Sequence, residues 1–222
     1  MFRIWPSRSA EPTRNGGKNG VFDPPQEAFW EHHGSVILTA TVEGTDMLPC
    51  AEDLGVVPAC SGKTLRRYGI PGTEIQRWMS SRTGGRIRIC EPEEYRHCSI
   101  ATASTHDMSP VLSWWTSLKS DEAGVFRRYL RLKPGESARP ARVAEAVLRK
   151  IHSASSIFSI QLIHDWMALE APRFIRSSST PVNRPGTVSS NNWSWVSPVS
   201  LESMMTLPSN RQIAALNREA GR

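Results

Sequence analysis

Two acidic clusters sit where carboxylates can do chemistry. Glu52-Asp53 follows the short apolar run Met47-Leu48-Pro49-Cys50-Ala51, and Asp107 follows the run from Cys98 to Ala103 and the polar stretch Ser104-Thr105-His106. Both runs read as strands, so both acids fall just past a strand end. Carboxylates brought to one rim in this way can exchange protons with a substrate or stabilise positive charge developing on it. Taken singly, each is more simply a helix N-cap or a surface acid. Their repeated placement after a strand is what makes the pair a candidate site. His106, beside Asp107, is either a hydrogen-bonding partner in such a site or a structural histidine bonded to nearby backbone.

Positioning these acids requires strands that alternate with helices. Pro58 to Tyr68 reads as a helix stopped by Gly69, Thr73 to Trp78 as a strand followed by a Gly84-Gly85 turn, and Cys98 to Ala103 as a further strand. Ser109-Pro110 then opens a helix through Trp115 in the order cap, then proline. Val143, Ala146, Val147 and Ile151 recur at helical spacing after Pro140, predicting an amphipathic helix to about Ala154. Ser156 to Ile163 is a strand candidate, His164 to Leu169 starts the next helix, and residues 176–192 form a long loop of the kind that is often functional. Two short helices are expected over Ser200–Met205 and Asn210–Ala220. Upstream, residues 1–20 have the composition of a tail, while Phe29-Trp30 and Val36-Ile37-Leu38-Thr39 suggest a short helix and then a strand. The alternation argues for an α/β class with its site at the C-terminal ends of the strands. About four strands are visible, whereas a closed barrel of this kind needs eight. The chain is therefore an open sheet or part of a larger barrel.

Composition excludes several other functions. The net charge of +6 is spread in pairs such as Arg66-Arg67 and Arg127-Arg128 without a basic stripe, which argues against nucleic-acid binding. Cys50, Cys60, Cys90 and Cys98 form no C-x-x-C pair, so no zinc ribbon or redox motif is indicated, and four reduced thiols are expected. There is no apolar run of signal-peptide or membrane-span length, so the expectation is a soluble cytoplasmic protein without membrane association.

The segment Ala51-Glu52-Asp53-Leu54-Gly55-Val56-Val57-Pro58, then Gly69-Ile70-Pro71-Gly72, then Gln76-Arg77, resembles the region around the general acid/base of amylomaltases, the 4-alpha-glucanotransferases. Ser104-Thr105-His106-Asp107 with Trp114-Trp115 is similar to that family's second active-site block. Asn183, Pro185-Gly186 and Asn192-Trp193-Ser194-Trp195 resemble its C-terminal signature. The resemblance covers residues 44–200, with residues 1–43 fitting poorly. It implies the C-terminal part of a (β/α)8 TIM barrel and a retaining transfer of glucan segments between maltooligosaccharides or starch- and glycogen-derived glucans. Glu52 matches the acid/base, which requires a raised pKa that apolar neighbours such as Leu54 and Val56 would supply. Asp107 matches the third carboxylate, which grips sugar hydroxyls and stabilises charge on the ring. Asp53, His106 and Trp115 are the expected substrate contacts. Trp114, Trp115, Trp193 and Trp195 offer faces to pyranose rings, against the more ordinary use of tryptophan in core packing. No metal or cofactor is implied, because carboxylates carry the chemistry.

The resemblance also has gaps. The family nucleophile lies in an Arg-x-Asp-His type segment upstream of the acid/base, and none occurs in residues 1–51. Pro181 stands where an arginine is usual, Val196 where a basic residue is common and His164 where a glutamine is usual. These departures fit an enzyme lacking its nucleophile whose partner is the missing N-terminal half of the barrel, a glucan-binding protein without turnover, or an inactive remnant.

Overall fold

The computed structural model describes residues 22–83, 86–171, 173–176 and 179–222. The tail expected over residues 1–20 and the Gly84-Gly85 turn lie outside them. The chain divides into two compact units, one formed by the residues up to Thr73 with His97–Ile100 and the other by Glu74–Arg96 with Ala101–Arg222.

The first unit begins with a single helix, α1 (Glu27–Glu43), where a short helix and then a strand were expected. Trp30, Gly34 and Leu38 recur every four residues and are the buried face. That periodicity overrides the β-preference of Val36-Ile37, because strand propensity is mostly a statement about side-chain surroundings. Helix α2 (Ser61–Arg67) follows and stops before Gly69, whose φ of +65° suits a residue without a Cβ. Leu38, Leu65 and Ile70 form the buried cluster of this unit, with Val42, Ala51 and Tyr68 against it. The Tyr68 hydroxyl donates to Ser35 O (3.1 Å) and lies 2.7 Å from the Thr39 hydroxyl, which leaves Thr39 as the donor to Tyr68.

The strand expected over Met47–Ala51 does not form. Met47 and Leu48 are 76% and 51% exposed, and Pro49 has no N–H for a ladder. Ala51 alone keeps a sheet-like bond, donating its N–H to Pro71 O at 2.8 Å.

Strand β1 (Gly72–Ile75) ends earlier than expected, because the N–H groups of Trp78 and Met79 turn back onto Ile75 O at 2.9 and 3.1 Å. The turn leads into an antiparallel hairpin, β2 (Ser80–Thr83) and β3 (Arg86–Ile89), pairing Ser80 with Ile89 and Ser81 with Arg88. Strand β4 (Ser99–Thr102) pairs with β1. Gly72 N donates to Cys98 O and Gln76 N to Thr102 O, and the constant offset (98 − 72 = 102 − 76 = 26) makes the pairing parallel. Strands β1 and β4 therefore run in the same direction.

In the second unit the chain continues through α3 (Val111–Ser117), α4 (Ser120–Tyr129) and α5 (Pro140–His152). Then come β5 (Phe158–Ser159), α6 (Ile163–Met167), α7 (Leu201–Met204) and α8 (Ser209–Glu219). Helix α5 is the amphipathic helix expected after Pro140, and its buried residues tie the unit together. Ala144 and Leu148 pack with Leu112, Ala168, Leu169 and Leu216, while Val147 joins Ala103 and Val111, and Ile151 joins Tyr95 and Ala101. Each buried Val, Leu or Ile side chain among these is worth about 1.5–3 kcal/mol. The strand expected over Ser156–Ile163 contracts to β5, because the side chain of Gln161 takes over the ladder beside β4. Its Oε1 accepts from Ala103 N (2.8 Å) and its Nε2 donates to Ala101 O (3.1 Å), which reproduces a peptide group's pattern.

Candidate active site

Glu52 and Asp53 lie just past Ala51, whose N–H is held by Pro71 O at the start of β1. The Thr73 hydroxyl donates to Ala51 O (3.0 Å), and Thr73 N–H donates to Asp53 Oδ1 (2.7 Å). Gly55 then turns the chain at φ +76°, a conformation natural to glycine. One carboxylate oxygen of Asp53 is thus engaged with β1, fixing the turn on which Glu52 stands. Glu52 itself is exposed, and so is Val56 at 50%. The apolar wall expected to desolvate the acid/base carboxyl is not built around it by the described residues.

The end of β4 is held quite differently. Thr102 Oγ1 donates to Ser104 O (2.7 Å), and Ser104 Oγ donates to the buried carboxylate of Asp165, whose other oxygen accepts from Val111 N at 2.8 Å. Arg77 brackets the same loop, with Nε donating to Ala103 O (3.1 Å) and Nη2 to Ser109 O (2.6 Å). Burial pushes the Asp165 carboxyl above its ordinary range, although Ser104, Val111 and Arg77 all oppose this. Burial likewise lowers Arg77 to about 10, with Asp165 as the opposing charge. The segment from Ser104 to Asp107 therefore hangs from a buried frame whose members come from β4, α3 and α6.

His106 and Asp107 emerge from this frame half-buried, with His106 Nε2 3.4 Å from Asp107 Oδ1. The long loop closes on them. Asn183 donates its N–H to His106 O (3.0 Å) and its Nδ2 to Asp107 Oδ1 (2.6 Å), so one side chain of the C-terminal signature orients the carboxylate. Asn192 braces the loop, accepting from Arg184 N (3.2 Å) and donating to Thr187 O (3.1 Å). Trp193 N–H donates to Val182 O (2.7 Å), and its ring lies 5.0 Å from that of His106. Trp193 adopts φ +59°, a conformation that costs a bulky residue about 1–2 kcal/mol. Trp195 packs on His164, which is buried with neither ring nitrogen bonded, and burial lowers that imidazole below its ordinary pKa.

The tryptophans divide accordingly. Trp114 and Trp115 pack on the cluster of Ala103, Val111, Leu130 and Val147, and the Trp115 indole N–H donates to Ser137 O (3.1 Å). Trp193 is 65% exposed beside His106. Asn183, Arg77 and Asp165 were not singled out as site residues from sequence. Asn183 and Arg77 stood within quoted motifs, whereas an aspartate at the start of α6 gives no sign that it will be buried.

A 4-alpha-glucanotransferase family model matches residues 1–200, beginning upstream of the motifs quoted above. The chain is 32% identical over 191 residues to a 4-alpha-glucanotransferase of Chlamydia trachomatis, covering 83% of this chain and 35% of that protein. It is 34% identical over 211 residues to the Chlamydia caviae enzyme, covering 93% and 37%. An amylomaltase from Streptococcus agalactiae, solved in complex with acarbose, superposes with a TM-score of 0.66 at 24% identity over 92% of this chain and 37% of that one. At that identity the superposition speaks for the fold, which combines helices with parallel strands. The chain spans a little over a third of the length of these relatives. Motifs, geometry and family match agree that the chain belongs to the 4-alpha-glucanotransferase family.

Proposed function

We propose that the chain carries the acid/base and charge-stabilising part of a retaining 4-alpha-glucanotransferase site, on the C-terminal portion of a (β/α)8 barrel. The observation that carries this reading is the brace on Asp107, a half-buried carboxylate oriented by Asn183 and flanked by His106 and Trp193. A carboxylate held this way presents its remaining lone pairs to sugar hydroxyls and its charge to an oxocarbenium-like ring. Glu52 is the acid that protonates the departing glycosidic oxygen and then, as a carboxylate, takes the proton of the incoming sugar hydroxyl. Asp53 positions Glu52 through Thr73. The first half-reaction needs a nucleophile that residues 1–51 do not supply. On its own the chain therefore binds maltooligosaccharides without turning them over, and losing one member of such a unit costs several orders of magnitude in rate.

Disproportionation of maltotriose tests this. The purified chain should release no glucose, and addition of an upstream segment from a chlamydial relative should restore release that Glu52→Gln abolishes. Restored release that survives Glu52→Gln would remove the acid/base assignment. A second reading, a glucan-binding protein without catalysis, is favoured by the exposure of Glu52, and it predicts maltotriose binding with no glucose under either condition.

A further inference from the structure

The second unit contains a cavity of about 330 Å³ walled by Arg77, Ser80, Ser81, Trp114, Ser117 and Glu122, with Leu118 and Phe126 supplying apolar surface. Its volume is at the small end of the range for small-molecule sites, enough for one or two hexose rings. Arg77 follows the end of β1 and the Asp107 loop follows the end of β4; since these strands are parallel, both lie at the same rim. Arg77 also touches that loop directly, through Ala103 O and Ser109 O.

The chemistry of the wall selects the ligand. A guanidinium has five N–H groups, and two backbone carbonyls engage two of them, so donors remain for a ligand at the cavity. The cavity is nevertheless a poor anion site. Arg77 already faces the buried Asp165, and Glu122 contributes a carboxylate to the wall, so an added negative charge would be repelled as well as attracted. What suits a guanidinium, three serine hydroxyls and a carboxylate together is a neutral molecule with many hydroxyls, each able to donate and accept. The ring of Trp114 has Arg77 over one face at 5.2 Å and Phe126 edge-on at 4.8 Å, which holds the aromatic wall rigid. Rigid aromatic and aliphatic surface beside fixed polar groups is the usual composition of a small-molecule site.

We propose that this cavity is a subsite for a glucosyl unit of an α-glucan, separate from the groups that touch the reacting sugar and on the same rim. The assignment rests on the glucan reading given above. The test follows the indole N–H signals of ¹⁵N-tryptophan-labelled full chain during titration with maltotriose, those of Trp114 and Trp193 being assigned through Trp114→Phe and Trp193→Phe. Both signals should move. Asp107→Asn should weaken the response of Trp193 and leave that of Trp114, whereas Ser117→Trp, which fills the cavity, should weaken the Trp114 response by about tenfold or more. Ser117 is an exposed residue at the end of α3, and an unchanged unfolding curve shows that the variant is folded. Glu122→Gln, which keeps the capping contact to Lys119 N, should also weaken the Trp114 response.

Movement of Trp193 alone would overturn the subsite and leave the glucan reading standing. Movement of neither would overturn both, and a Trp114 signal that responds to inorganic phosphate but not to maltotriose would overturn the ligand class.

Discussion

Glu52 follows a segment tied at Ala51 to the start of β1 and Asp107 follows β4, yet the protein holds them in opposite ways. Asp107 extends from a loop fixed by Asp165, Arg77 and Thr102, and a second loop covers it through Asn183 and Trp193. Glu52 stands on a turn tied at Ala51 and Asp53 and is otherwise open, with exposed Met47, Leu48 and Val56 near it in sequence. A braced carboxylate suits a group that must keep one charge state and one orientation through the reaction. An acid that changes protonation state in every half-reaction needs to be shielded from water, and the described residues leave Glu52 exposed. The contrast separates a carboxylate braced on two sides from one that the described residues leave open.

The largest way to break the contrast is to remove the frame under Asp107. Asp165→Ala leaves Ser104 Oγ and Val111 N without acceptors and Arg77 without its counter-charge. It should destabilise the second unit by about 3–5 kcal/mol, read as a shift in the urea unfolding midpoint. Asp165→Asn, similar in size but unable to satisfy both donors, should cost less. The sign of the pH effect is also fixed. Burial raises the folded-state pKa of Asp165 above 3.8, so its contribution is fully present below the unfolded value and is lost as pH rises through the folded one. The Asn variant should lack this dependence.

Removing the cover has a smaller effect. Asn183→Ala removes the side-chain bond to Asp107 and Trp193→Ala the ring contact with His106, and each should cost about 1 kcal/mol, since a truncated contact at a half-exposed site is seldom worth more. Hydrogen exchange of residues 181–196 should accelerate while that of α5 stays unchanged. Trp193→Gly should cost less than Trp193→Ala, because glycine relieves the positive φ.

This difference in bracing also explains what could be read from the sequence. The motifs around Glu52 and Asp107 were legible because residue type and order carried them, and α5 was legible because its period is unbroken. Helix α1 was misread because the β-branched Val36-Ile37 pair obscured a buried face spaced by four. The hairpin β2–β3 was missed because RIRI alternates over only four residues. The frame itself was illegible: Gln161 and Asp165 look like ordinary polar residues, and only the tertiary structure shows one acting as a peptide group and the other as a buried acceptor.

His164 extends the comparison to pH. Its ring is buried against Trp195 with both nitrogens unbonded, and burial holds its pKa below 6.5. A depressed folded-state pKa gives stability that is present above the unfolded value and lost as pH falls through the folded one. The unfolding midpoint should therefore fall on acidification below about pH 6.5. His164→Gln should flatten that fall; His152, also buried with a lowered pKa, leaves a remainder.

The smallest effect is expected where the chemistry is proposed to be greatest. Glu52 is exposed, so Glu52→Gln should change stability by less than about 0.5 kcal/mol, as surface substitutions usually do. Asp53→Asn should cost more, because Thr73 N–H loses a charged acceptor on β1. A Glu52→Gln variant with unchanged unfolding but no glucose release in the reconstituted assay separates a chemical role from a structural one. If Glu52→Gln instead destabilised the chain as much as Asp53→Asn, Glu52 would be part of the turn's own support, and the unit around it would no longer differ in kind from the frame around Asp107.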